Sequence, residues 1–190
     1  MSEHSVQQRG VRTRERLLEA TLTCLVNYGF ASTTMQRVQN EARVSRGALV
    51  HHFASMDELL VGAVHHVAAR QLDALRRAAE GLGDGATGRA QRVRLLHSVM
   101  SGPDFLAGIE LWMAARTNPS LHAALVPAER ELGHQIAAAL TIDGAASANL
   151  SRLELDDLLV TLRGLAITSV LRHDARVEHR TIERWLEART

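Results

Sequence analysis

The chain has 190 residues, of which 46% are hydrophobic and 23% are charged, and its formal net charge is +1. This composition is typical of a globular protein with a sizeable core and excludes a disordered chain. The near-neutral charge also argues against a protein that coats nucleic acid without selection. The single cysteine, Cys24, excludes an internal disulfide framework and favours a reducing compartment.

No apolar run approaches the roughly 18 residues that a membrane span needs, and the N-terminus lacks the apolar core of a signal peptide. We therefore expect a cytoplasmic protein with no membrane partner. The charge is unevenly distributed, because the first 52 residues hold seven arginines (9, 12, 14, 16, 37, 43, 46) and four glutamates (3, 15, 19, 41). The N-terminal part is thus locally basic.

Helical periodicity and scarce proline predict an all-α chain of about nine helices, with no strand-like alternation. Residues 1–11 have no core-forming pattern and are expected to be a mobile basic arm, which is either solvated or in contact with DNA. Gly-rich residues 81–88 and small residues 141–151 are expected to be loops. The predicted helices cover about 13–28, two short segments within 33–53, 55–80, 89–101, a segment beginning at 103, 119–140, 151–171 and 178–188.

The stretch 33–53 predicts two short helices joined by a tight turn. Thr33 and Gln36 fit a capping box for the first helix, and Ser45 can cap the second. Two helices of this size cannot form a core alone, but they can present one face to the DNA major groove. Further along the chain, Ser55 and Glu58 fit a second capping box at the start of the fourth helix.

Several motifs of residues 13–60 together resemble the DNA-binding domain of TetR-family transcriptional repressors. They are Thr13-Arg-Glu-Arg-Leu-Leu, Tyr28-Gly-Phe, Thr33-Thr34, Val44-Ser-Arg-Gly, Leu49, His51-His-Phe53 and Ser55 with Leu59-Leu60. The resemblance implies an N-terminal three-helix helix-turn-helix DNA-binding domain and a C-terminal helical domain for ligand binding and dimerisation. On this basis we place the first domain at 1–55, with the helix-turn-helix at 34–53, and the second at 56–190.

The resemblance also implies which residues contact DNA. Arg46 and Gly47 begin the recognition helix, where an arginine can bind guanine in bidentate fashion and a glycine lets the backbone approach. Val50, Met56 and Arg43 depart from a frequent tyrosine, lysine and glycine of the family. The full set of expected DNA-binding residues is Thr33, Thr34, Arg43, Ser45, Arg46, Gly47, Val50, His51 and His52.

Two further sets of residues are implied for the C-terminal domain. An inducer cavity is expected along the sixth helix, and its expected lining residues are Met100, Phe105, Ile109, Glu110, Trp112 and Met113. The same residues also fit an ordinary hydrophobic core. Glu110 also fits a carboxylate at the rim of the cavity. The eighth helix is apolar around much of its circumference, which favours a homodimer interface. The expected interface residues are Leu155, Leu158, Leu159, Leu162, Leu165, Ala166, Val170 and Trp185.

These features predict a ligand-responsive homodimeric repressor that binds a pseudo-palindromic double-stranded DNA operator and is released by a small-molecule inducer of unknown identity. An activator with the same architecture is an alternative. A small helical enzyme or metal-binding protein is a second alternative, but the sequence has no Gly-x-Ser-x-Gly motif and no phosphate loop. The histidine pairs 51–52 and 65–66 lack partners at metal-ligand spacing, so we expect no enzyme activity, metal or cofactor.

Overall fold

The computed structural model describes residues 3–79, 85–140, 150–172 and 174–188. Helices account for nearly all of these residues and no strand occurs among them, which confirms the all-α prediction. A short 3-10 turn at Phe30–Ser32 separates the first two helices. The helices of the described ranges are α1 (Glu3–Tyr28), α2 (Met35–Ala42), α3 (Arg46–His52), α4 (Met56–Ala79), α5 (Gly85–Met100), α6 (Pro103–Ala115), α7 (Pro119–Leu140), α8 (Arg152–Leu171) and α9 (Ala175–Glu187).

Helix α1 begins earlier than the sequence predicted, because residues 3–12 continue the helix in place of a mobile arm. These residues lack an apolar stripe, but they contain no proline, and a single glycine costs a helix only about 1 kcal/mol. The boundaries of the other helices follow their sequence signals more closely. Helix α5 starts at Gly85, within the predicted 81–88 loop, while residues 80–84 and 141–149 lie outside the described residues.

Side-chain caps fix the starts of several helices. Ser151 accepts a hydrogen bond from Glu154 N–H, and the Glu154 carboxylate accepts one from Ser151 N–H, so α8 begins with a reciprocal capping box. At α4 the expected pair forms in a modified way. The Ser55 hydroxyl accepts from Glu58 N–H, but the Glu58 carboxylate reaches Ala54 N–H, one residue earlier.

The described chain divides into two compact units. The first contains residues 1–68 and 107–129, and its core joins α1, α2, α3 and the first part of α4 to residues from α6 and α7. The predicted boundary at residue 55 therefore does not coincide with the division by packing. Residues 107–129 belong to the same unit as the helix-turn-helix because Ala107, Leu111 and Leu121 are buried in its core.

The second unit contains residues 69–106 and 130–190. Its core is formed by Leu75 of α4, by Leu96 of α5 and by the buried faces of α8 and α9. Polar contacts tie α5 to its neighbours, because Arg89 pairs with Glu154 of α8 and Arg94 pairs with Glu183 of α9. Among the described residues, no helix combines the length and the apolar character that a membrane crossing requires.

Candidate DNA-binding site

Helices α2 and α3 form the predicted helix-turn-helix, and each has a hydroxyl cap. Thr34 Oγ1 accepts a hydrogen bond from Arg37 N–H at 3.2 Å, and Ser45 Oγ accepts one from Ala48 N–H at 3.1 Å. Both caps satisfy backbone donors that have no partner inside the helix. The Ser45 cap agrees with the sequence prediction, whereas the first cap is one residue later than the predicted Thr33.

The position of Thr33 rules it out as a DNA contact. Its side chain is buried, and its hydroxyl donates to the carbonyl oxygen of Gly29 at 2.8 Å. The predicted capping box with Gln36 is therefore wrong, since the Gln36 amide donates to Asn40. The error arose because two adjacent threonines are equally good caps in sequence, and only the packing of the 3-10 turn selects Thr34.

The outer face of α3 is exposed and chemically suited to a groove. Arg46, Gly47, Val50 and His51 are solvent-exposed, while Leu49 anchors the helix in the core of the first unit. Gly47 has open surroundings, since a Cβ atom there would meet only Ser45 Oγ, at 4.0 Å. Glycine within a helix is unfavourable relative to alanine, and nothing in the unit itself requires it. The exposed position leaves the backbone accessible to a ligand.

Helix α1 supplies further positive charge beside the end of α3. The Arg14 guanidinium lies 5.1 Å from the centre of the Phe53 ring, and Gly10 lies near the imidazole of His52. Burial first, and then the nearby His51 and Arg14 side chains, lower the pKa of His52 below its ordinary value. The arginines of the helical N-terminal segment hold the local positive charge.

The turn between α1 and α2 is held by a residue that we expected at the inducer cavity. Glu110 of α6 accepts a hydrogen bond from Phe30 N–H at 3.1 Å, next to Gly29, which has a positive φ of 71°. Arg37 also contributes, because it donates to Ser32 O at 2.9 Å and lies over the Tyr28 ring. The corner that leads into the helix-turn-helix is therefore fixed by contacts from both α2 and α6.

The six residues predicted to line an inducer cavity are divided between the two units. Met100 and Phe105 pack in the core of the second unit, whereas Ile109, Glu110, Trp112 and Met113 belong to the first. Glu110 is occupied at the Phe30 turn, Trp112 donates to Glu129 at 3.0 Å, and Met113 is 61% exposed.

Most of the predicted dimer-interface residues are core residues of the single chain. Leu155, Leu158, Leu159, Leu162, Ala166 and Trp185 are all buried within the second unit, so they do not form part of its surface. Leu165 is half-buried and Val170 is exposed. The prediction was wrong for the six buried residues, because a helix that is apolar on two sides does not reveal which side the chain itself covers.

The other side of α8 remains exposed in the single chain. Successive residues of a helix advance by about 100°, so residues seven and eleven positions apart fall on one face. Leu153 is 80% exposed and Leu171 is 93% exposed, and Val160 and Ile167 lie between them on the same face. Gly164 is also on this face, and a Cβ atom there would meet no heavy atom within 4 Å. This set of residues is called the outer α8 face below.

Metal-ligating side chains do not converge within the described ranges, where no group of three or more His, Cys, Asp or Glu residues is placed to hold an ion. His51 and His52 make an edge-to-face ring contact, with centroids 5.2 Å apart. His66 pairs with Glu19 at 2.7 Å and so joins α4 to α1. Cys24 is buried, and burial raises the pKa of its thiol, as expected for a structural cysteine.

Comparison with known sequences identifies the N-terminal part of the chain. Residues 17–63 match the family of bacterial regulatory proteins described as the tetR family. The HTH-type transcriptional regulator Rv2912c of Mycobacterium tuberculosis is 28% identical over 119 residues, a match that covers 63% of this chain and 61% of the relative. The HTH-type transcriptional repressor AcnR of Corynebacterium diphtheriae is 27% identical over 123 residues, covering 63% of this chain and 58% of the relative. Both matches therefore span less than two thirds of the relative's length.

Solved structures share the fold over nearly the whole chain. A TetR-family transcriptional regulator from Mesorhizobium loti aligns with a TM-score of 0.74 at 16% identity, covering 95% of this chain and 96% of the other. The multidrug binding protein EbrR, in complex with ethidium, aligns with a TM-score of 0.69 at 20% identity, covering 92% and 97%. Such low identities establish the fold and not a shared ligand. Residues 17–63 of this chain thus carry the N-terminal DNA-binding domain of the tetR family of bacterial regulatory proteins.

Proposed function

We propose that this chain is a homodimeric, ligand-responsive transcriptional repressor that binds a pseudo-palindromic DNA operator through α3. The observation that carries the proposal is the outer face of α3, where a Ser45 cap, the exposed Arg46 and an unobstructed Gly47 begin a helix held by the buried Leu49. A recognition helix needs this combination of a fixed backbone and free polar side chains at its N-terminal end.

The expected division of roles on DNA follows from the chemistry of each side chain. Arg46 can donate two hydrogen bonds to the O6 and N7 atoms of guanine, and Val50, which is 52% exposed, can pack on a thymine methyl group. Thr34 at the start of α2 and Arg14 of α1, which lies beside the end of α3, are expected to contact phosphate, which would position the protein without reading sequence. His51 and His52 complete the contact surface, whereas Thr33 is withdrawn from it.

A second copy of the chain is the proposed partner of the outer α8 face. Leu153, Val160, Ile167 and Leu171 form an exposed apolar stripe along a helix of 20 residues, and apolar surface of this length is unfavourable in water. Gly164 lies in the middle of the stripe and allows the backbones of two helices to approach closely. A two-fold axis through this face would pair two recognition helices, which a pseudo-palindromic site requires.

The proposed inducer is a small molecule that binds within the second unit. EbrR supports this assignment, because it is a multidrug binding protein whose structure contains ethidium. Residues of α4, α6 and α7 are shared between the two units, so these helices are the chain's means of coupling a ligand to α3. A ligand can release DNA only through different affinities for the two states, and coupling energies of about 1–3 kcal/mol are usual.

An operator selected from random duplexes provides the test of this proposal. The protein should enrich a two-fold symmetric site, and footprinting should show two protected half-sites whose centres are separated by about one helical turn or a multiple of it. Enrichment of no sequence above background would contradict repression through α3. Reporter genes would then separate a repressor from an activator. A repressor should lower transcription when the selected operator lies downstream of the promoter, whereas an activator should raise transcription when the operator lies upstream.

A further inference from the structure

The turn between α2 and α3 contains a non-glycine residue in the left-handed conformation. Arg43 has φ 52° and ψ 48°. Its N–H donates to Asn40 O at 3.1 Å, and the N–H of Val44 donates to Gln39 O at 3.3 Å. This pair of hydrogen bonds is the Schellman arrangement that ends many helices, usually with glycine at the left-handed position. A residue with a Cβ atom costs about 1 kcal/mol more there.

A second arginine binds the backbone of this strained turn. Arg16 of α1 donates from Nη2 to the carbonyl oxygens of Ala42 and Arg43, the latter at 3.2 Å. These two carbonyls follow the ones that the Schellman hydrogen bonds occupy. They lie at the negative end of α2, where a cation is favourable. The guanidinium therefore satisfies the acceptors of the turn and stabilises the charge distribution at the end of the helix.

The surroundings of Arg16 indicate that its guanidinium binds the backbone carbonyls of the turn and not an anion. Arg16 lies in an open groove with Arg12 and Arg43, but Glu15 and Glu41 line the same groove. Carboxylates on both sides make this groove a poor phosphate site. The hydrogen bonds to the turn, in contrast, connect α1 to the segment whose direction determines where α3 points.

We propose that Arg16 is a positioning residue for DNA recognition, which holds the left-handed turn at Arg43 and thereby fixes the orientation of α3. The inference rests on the proposed function, because it assumes that α3 reads DNA. Glycine at position 43 adopts the left-handed conformation without steric cost, so a chain with Arg43 depends on the clamp more than a chain with glycine would.

The test is a double-mutant cycle on operator affinity at positions 16 and 43. Arg16→Ala should weaken binding to the selected operator by about 10-fold, the loss expected for charge-assisted hydrogen bonds. Arg16→Lys, which keeps the charge and one donor direction, should recover part of that affinity. In the Arg43→Gly background the loss caused by Arg16→Ala should shrink, and the cycle cancels any direct contact that Arg43 itself makes with DNA.

The salt dependence of binding separates positioning from direct contact. If Arg16 binds phosphate itself, Arg16→Ala would remove one contact from each protomer of the dimer and lower the slope of log affinity against log salt by about two, whereas a positioning residue leaves the slope unchanged. Arg12→Ala is the matched control, since Arg12 lies in the same groove of α1. Helicity and unfolding curves establish whether each variant is folded. If Arg16→Ala does not fold, Arg16→Lys takes its place in the cycle with Arg43→Gly.

Three results would overturn the inference. They are an unchanged operator affinity in Arg16→Ala, an equal loss in both backgrounds, and a salt slope that falls by about one phosphate contact for each protomer. If the unmodified protein selects no operator, the proposed function fails and the inference fails with it. If the unmodified protein binds its operator and the two substitutions are additive, only the inference about Arg16 fails.

Discussion

The Glu110 carboxylate of α6 accepts a hydrogen bond from the backbone N–H of Phe30, 80 residues earlier in the chain. Phe30 follows Gly29, whose positive φ of 71° turns the chain from α1 toward α2. A side chain of the sixth helix therefore helps to fix the corner at the entrance to the helix-turn-helix. This contact lies within the compact unit that residues 107–129 share with α1, α2 and α3.

Replacing Glu110 is expected to destabilise this corner. Glu110→Ala should lower the free energy of unfolding by about 1 kcal/mol, the usual contribution of a partly exposed hydrogen bond. Glu110→Gln keeps an acceptor oxygen and should lose less. Met113→Ala, at an exposed position one turn further along α6, is the control and should be nearly neutral. Chemical denaturation of the three variants decides the matter, and equal stability of Glu110→Ala and the unmodified protein would show that the bond contributes nothing.

The outer α8 face is expected to hold the dimer together. Ile167→Glu places a charge in the centre of this face, and burying an unpaired carboxylate is strongly unfavourable. Sedimentation should show a monomer. Operator affinity should fall by about 100-fold, because binding of one DNA-binding domain no longer brings a second one to its half-site. Val26→Glu makes the same chemical change at an exposed apolar position of α1. A dimer that persists in Ile167→Glu would place the interface elsewhere.

Acid should destabilise the second unit through Glu154. Hydrogen bonds from the Ser151 side chain and backbone, and then from Arg89, lower the pKa of this carboxylate from 4.5 to about 2. Since the folded pKa lies below the ordinary value, the carboxylate contributes stability at neutral pH. That contribution is lost as the pH falls from about 4.5 toward 2.

Glu154→Gln removes this titration and should flatten that part of the stability profile. Urea unfolding at a series of pH values between about 7 and 3 provides the comparison, with Asp156→Asn as the control at an exposed carboxylate of the same helix. If the curves of Glu154→Gln and the unmodified protein stay parallel through this range, the carboxylate does not contribute to acid lability.

The burial of Cys24 gives a simple probe of local opening. The thiol lies in the core of the first unit, and burial raises its pKa. Both effects slow its reaction, because only the exposed thiolate is an effective nucleophile. A thiol reagent should therefore modify the native protein at the rate of unfolding, and rapidly in denaturant. Fast modification of the folded protein would indicate an open α1.

Local signals in the sequence located helix α3 well. Ser45 is a good cap at a break in the apolar pattern, and Leu49 and Phe53 face the core as the spacing predicts. Such signals could not decide whether Thr33 or Thr34 caps α2, because either threonine can cap a helix. Only the 3-10 turn, which buries Thr33 against Gly29 O, determines the outcome.

Long-range contacts could not be predicted from the pattern of single residues. Glu110 looked like a cavity or rim residue because its partner is a backbone N–H, which leaves no mark in the sequence. Arg16 was overlooked for the same reason, since it binds main-chain carbonyls. The two apolar sides of α8 were visible, but burial by the chain's own core assigns the inner side to Leu158 and Leu162 and leaves Val160 and Ile167 outside.

The most direct test of DNA recognition by α3 is the operator affinity of Arg46→Ala, measured beside its affinity for a non-operator duplex at the same salt concentration. Arg46 in both half-sites should supply base contacts, so operator affinity should fall by at least about 10-fold, while non-specific affinity and the dimer stay nearly unchanged. Arg176→Ala, an exposed arginine of α9, should bind the operator normally. A folded, dimeric Arg46→Ala protein with undiminished operator affinity would contradict the assignment of α3 as the recognition helix.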